Sequence, residues 1–150
     1  FEELSRIEQT ATSLRSKIRM IMNFSVNTAL ENPDILRFIY SAILGPQEGR
    51  PKYDLYAHHQ KTLGVVVRML DKAVESGEFE ARPDMNTTFL ADFLLQSIGT
   101  FLMSGLRLTD DLPEPEREAF LQEFGSESSI ERFLDLYFGG AGVINEGTIQ

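Results

Sequence analysis

One hundred and fifty residues suit a single domain, and a domain of that length buries roughly 68–70% of the surface its unfolded chain exposes, so the fold needs no disulfide or metal. The absence of cysteine excludes a disulfide framework, a thiolate metal site and a cysteine nucleophile, and it fits a reducing cytosol. With 23 acidic against 14 basic residues the formal charge is −9, which repels phosphate backbones, so this chain is not expected to hold nucleic acid by itself.

From Phe1 to Leu30 the apolar positions Leu4, Ile7, Leu14, Ile18, Ile21 and Met22 keep one phase, with Phe24 counted among them, while Arg15, Arg19 and Asn23 lie opposite. That pattern predicts one amphipathic helix, or two broken near Thr10 to Ser13. Phe-Glu-Glu-Leu reads like the inside of a helix, so residues 1–12 are expected to end a connecting helix that begins upstream. Asn32-Pro33-Asp34 stops the first pattern and starts another through Ile35, Leu36, Phe38 and Ile39, which Gly45-Pro46 closes. Residues 45 to 52 carry two Gly, two Pro and no apolar side chain, a loop by composition.

A helix over about Tyr53 to Ser76 carries Leu55, Tyr56, His59, Leu63, Val66, Val67 and Leu70 on one stripe and is capped by Gly77. A turn over Glu78 to Asp84 leads to the stretch Met85 to Leu106, where Asp84 or Asn86 can cap. This stretch is apolar nearly all round: Leu90, Leu94, Ile98 and Phe101 on one face, Phe89 and Phe93 on a second, Leu95, Leu102 and Leu106 on a third. A helix of that kind must be covered on every side, by its own domain or by a second copy of the chain. Asp92, Gln96, Ser97 and Thr100 interrupt it, and no uninterrupted apolar run of membrane length and no opening signal-peptide pattern occurs, so no membrane partner is expected and a cytoplasmic location is.

Beyond Leu106, Asp110-Asp111 and Pro113-Glu114-Pro115 make a linker into a short helix near Glu116 to Phe124. A last helix from Glu127 or Ser128 to Phe138 presents Ile130, Phe133, Leu134, Tyr137 and Phe138, and the Gly-rich tail 139–150 is expected to fray. No segment alternates with a period of two, so the expected fold is all-α, a single bundle of about six helices over residues 1–150.

Three strings carry a family likeness. Met69-Leu70-Asp71-Lys72-Ala73-Val74-Glu75-Ser76-Gly77-Glu78-Phe79 with Arg82-Pro83-Asp84-Met85-Asn86-Thr87, then Leu30-Glu31-Asn32-Pro33-Asp34-Ile35, then Ile130-Glu131-Arg132-Phe133-Leu134-Asp135-Leu136-Tyr137, together resemble the C-terminal regulatory domain of TetR-family transcriptional repressors. The resemblance spans roughly residues 14–140 and implies a homodimer built on the central and last helices. It also implies a small-molecule effector, and DNA contact only through a basic helix-turn-helix domain that has no counterpart here.

Under that resemblance the interface is expected at Leu90, Leu94, Ile98, Phe101 and Gly105 with Phe133, Leu134 and Tyr137. An apolar or aromatic effector is expected between the first long helix, the Tyr53–Ser76 helix and the central helix, near Met20, Phe24, Phe38, Tyr56, His59, Leu63 and Phe93. Gln96 and Thr100, uncharged polar groups among aromatic ones, either orient such a ligand or pair across an interface. His58 and His59 point to different sides of one helix and cannot hold one metal together, so no metal or cofactor is expected. The carboxylates sit in solvated runs, and neither a nucleophile elbow nor a phosphate loop occurs, so no enzyme is expected. The alternative reading is a helical protein–protein adaptor with no ligand pocket.

Overall fold

The computed structural model describes residues 2–44 and 55–145. Among the described residues are seven helices: α1 (Glu2–Gln9), α2 (Leu14–Glu31), α3 (Pro33–Leu44), α4 (Leu55–Glu75), α5 (Thr87–Thr109), α6 (Glu114–Phe124) and α7 (Glu127–Ala141). Two three-residue strands, β1 (Phe79–Ala81) and β2 (Gly142–Ile144), complete an all-α bundle of the expected class. The expected loop over residues 45 to 52 lies outside the described residues.

Local chemistry sets the helix boundaries. The side chains of Ser13, Asn86 and Ser126 accept hydrogen bonds from the backbone N–H three residues on, capping α2, α5 and α7. Pro33 is the first residue of α3, where its missing N–H costs nothing. Gly77, with φ +76°, turns the chain out of α4 in the left-handed region that glycine reaches without strain. The break at residues 10–13 separates α1 from α2, so the first pattern is two helices rather than one.

Helix α5 lies at the centre, packed on α2, α3, α4 and α6. Its inward face is Leu90, Ala91, Leu94, Ile98, Leu102 and Leu106, all buried. That face meets Ile18, Ile21 and Met22 of α2 and Val66, Met69 and Leu70 of α4 in one core cluster, which Ile130, Leu134 and Phe138 of α7 also enter. Burying each such side chain stabilises the fold by about 1.5–3 kcal/mol, so α5 is held chiefly by apolar burial. Two sets of ion pairs tie other helices to one another. Glu8 accepts from Nε and Nη2 of Arg68, each at 2.9 Å, joining α1 to α4. On the far side Arg15 reaches Glu131 at 2.8 Å and Asp135 at 2.6 Å, and Arg19 reaches Glu131 at 2.5 Å, joining α2 to α7.

The end of the chain departs from expectation. Residues 139–141 continue α7, and 142–144 form β2, antiparallel to β1 with Phe79 opposite Ile144 and Ala81 opposite Gly142. The pairing holds because Phe79 is buried edge-on against Phe138, 6.1 Å between ring centroids, and because a Cβ at Gly142 would collide with the Glu80 carbonyl. Residues 146–150 of the expected tail lie outside the described residues.

Candidate functional site

The expected dimer residues divide by depth. Leu90, Leu94, Ile98, Leu134 and Tyr137 are 0–5% exposed and belong to the subunit's own core, as does the buried Gly105, so none of these six can form an outer interface. This corrects the expected face: an all-round apolar helix turns its aliphatic stripe toward α2 and α4, because that direction covers it most fully. Phe101 and Phe133 are partly buried and meet edge-on at 5.7 Å, while Phe124 stacks on Phe101 at 4.5 Å. Tyr137 donates its hydroxyl to the Leu90 carbonyl oxygen at 3.0 Å, and burial pushes its phenol pKa well above the ordinary value. Phe101, Phe133, Leu90 and Tyr137 therefore make the seam between α5 and α7.

Outside that seam each of the two helices carries exposed residues. On α5, Phe89 and Phe93 are each 53% exposed and stack in parallel with centroids 6.3 Å apart. Gln96, Thr100, Ser104 and Arg107 continue the same line at spacings of three and four residues, all exposed. On α7, Leu136 is 80% exposed, one step outward from Phe133 and Tyr137, with exposed Gly140 a turn further on. Leu90 near the start of α5 meets Tyr137 late in α7, and Phe101 meets the earlier Phe133. Phe89 and Leu136 were missing from the expected face. Leu136 could have been found from its phase, which is opposite to that of the Ile130, Leu134 and Phe138 stripe.

No family model, curated protein or solved structure matches the chain.

The expected effector residues do not enclose one cavity. Phe24, Phe38 and Tyr56 are 43%, 56% and 74% exposed on three different helices. Phe93, Gln96 and Thr100 lie on the outer stripe of α5, turned away from the core face that α2 contacts. Met20 and Leu63 pack at the margin of the core. His59 is partly buried and pairs with Asp92 of α5 at 3.1 Å, and the second Asp92 oxygen accepts from Gln96 at 2.5 Å. Both histidine and amide are thus satisfied by a surface network that locks α4 to α5, which corrects their placement in a shared pocket. Aromatic character in a sequence does not report which side a helix turns, and that is why the set was misplaced.

A cleft of about 250 Å³ opens elsewhere, where the end of α2, the start of α3, the end of α5 and α6 converge. Leu30, Pro33, Leu106 and Leu121 form its apolar wall. At its rim Arg37 of α3 is paired with Asp110, just past α5, and with Asp34 at 3.1 Å. Arg117 of α6 donates to the carbonyl oxygens of Thr109, the last residue of α5, and of Leu112 just past it, each at 3.2 Å. Among the described residues no group of three or more His, Asp or Glu side chains could hold a metal ion. One described helix, Thr87–Arg107 within α5, is long and apolar enough to cross a membrane, and its inward face is occupied by the core.

Proposed function

We propose that this chain is the effector-binding and homodimerisation domain of a TetR-like transcriptional regulator, working in the cytoplasm and reaching DNA through a separate helix-turn-helix domain. The observation that carries the reading is the exposure of large apolar side chains on both helices, Phe89 and Phe93 on α5 and Leu136 on α7. A soluble subunit gains by covering such side chains, and a second copy covers them isologously, α5 and α7 of one subunit against the same pair of the other in a four-helix bundle. Regulation follows if an effector binds one spacing of the two subunits better than another, since only differential affinity shifts such an equilibrium.

Size-exclusion chromatography with light scattering tests the reading on this chain. At concentrations on the order of tens of micromolar a dimer is expected, and Leu136→Glu is expected to elute as a monomer with unchanged helical circular dichroism. A natural chain that stays monomeric under these conditions overturns the self-association and favours the adaptor reading, in which the same face receives a different protein.

A further inference from the structure

Helix α6 is attached to the bundle differently from its neighbours in sequence, α5 and α7. None of its eleven residues is buried, whereas α7 buries Ile130, Leu134, Tyr137, Phe138 and Ala141, and α5 buries the six residues of its inward face. The apolar side chains Phe120, Leu121 and Phe124 of α6 are half-buried, and its main packing partner is α5. Two points hold it. Near its start the Arg117 guanidinium clasps the Thr109 and Leu112 carbonyl oxygens. At its end the Phe124 ring lies in the notch that Gly105 leaves open, stacked on Phe101 at 4.5 Å. Between these points Leu121 lines the cleft of about 250 Å³ together with Leu106 and Thr109, both buried.

We propose that α6 is a lid, which swings off α5 as a unit while the rest of the bundle stays folded. Half-buried side chains gain only part of the transfer free energy of fully buried ones, and a segment with few buried apolar contacts is where a folded protein opens first. Helix α5 keeps its place when α6 leaves, because its inward face belongs to the core cluster shared with α2, α4 and α7. Release of Arg117 leaves no polar group stranded either, since opening hands the Thr109 and Leu112 carbonyls to water. The open state uncovers Leu106 and the Gly105 notch, so the cleft widens into an apolar groove along the end of α5. The lid does not rest on the regulatory reading, because its opening is measured on the chain whatever its oligomeric state.

The test is native-state hydrogen exchange of the full chain in rising, sub-denaturing urea. The α6 amides are expected to share one opening level and to exchange at least about a hundredfold faster than those of Leu94 and Ile98 in α5, with a weaker dependence on urea. Arg117→Gln is expected to speed α6 exchange about tenfold and to leave α2 and α4 unchanged. The natural chain has no cysteine, so a single introduced thiol reports exposure alone. Leu106→Cys, under the lid, is expected to react with a thiol reagent at least about a hundredfold faster than Leu94→Cys, in the core. The proposal is overturned if α6 exchanges at the level and urea slope of α5, if protection along α6 is graded with no shared level, or if the two thiols react equally fast. An Arg117→Gln chain whose α6 exchange is unchanged overturns the clasp. Should that variant fail to fold, exchange in the natural chain decides.

Discussion

Gly105 and Phe124 show how closely single side chains are matched in this bundle. A Cβ at Gly105 would run into the Phe124 ring, which stacks on Phe101 at 4.5 Å, and Phe101 in turn meets Phe133. Gly105 thus lets α6 close on α5, a duty in intrasubunit packing rather than at a dimer axis. Gly105→Ala is expected to lower stability by about 1–3 kcal/mol through displacement of that ring, read as a lower urea midpoint with an unchanged m-value. Glu131 offers a second measurement. Hydrogen bonds from Arg19 and then Arg15 pull its pKa from the ordinary carboxylate range down to about 2. A lowered folded-state pKa contributes stability that is present above the unfolded value and is lost as pH falls through the folded one. Glu131→Gln is therefore expected to cost about 1 kcal/mol at neutral pH, a modest figure because the pair is partly solvated. In urea melts the gap between variant and parent should shrink as pH drops from about 5 toward 2. A gap independent of pH would show that the carboxylate charge is not what α7 needs from α2.

At the scale of elements, α7 separates the two kinds of apolar residue it carries. Leu134 is fully buried and Leu136, two residues on, is 80% exposed. Leu134→Ala is expected to cost about 2–5 kcal/mol in a denaturant melt, the sum of lost transfer energy and the cavity left behind. Leu136→Glu should leave the unfolding of the subunit within about 0.5 kcal/mol and change only its self-association. The opposite outcome, with Leu136→Glu unfolding the chain and Leu134→Ala tolerated, would mean that α7 turns its other face inward. The polar side of α2 also has an element-scale role. Arg15 and Arg19 stand four residues apart, as do Glu131 and Asp135, so the two helices meet through matched i, i+4 pairs. Both pairs are visible in the sequence, but nothing in it says that they face each other across 112 residues or more.

For the whole molecule, the proposed self-association through α5 and α7 would make stability a function of concentration. The melting temperature is expected to rise with protein concentration for the natural chain and to stay constant for Leu136→Glu, measured by differential scanning calorimetry over a hundredfold range. A concentration-independent natural chain would leave the α5–α7 face as the subunit's own surface. The β1–β2 pair closes the same body, fastening the end of α7 to the turn between α4 and α5.

Helix positions, their caps and the all-α class were legible because they depend on neighbours within a few residues. Asn86 before Leu90 and Gly77 after Val74 announce a start and a stop by local hydrogen bonding and backbone freedom. The two strands were not legible, since three residues are too few to show a period and their partners lie more than sixty positions apart. The orientation of α5 was not legible either. Apolar on several faces, it satisfies the same sequence whichever stripe turns inward, and only the competing areas offered by α2, α4 and α7 decide that Leu90, Leu94 and Ile98 go in while Phe89 and Phe93 stay out. The sequence by itself determined where each helix forms, because that is set by short-range bonds. The tertiary structure alone decided which face each helix hides, because that is set by the total apolar area removed from water.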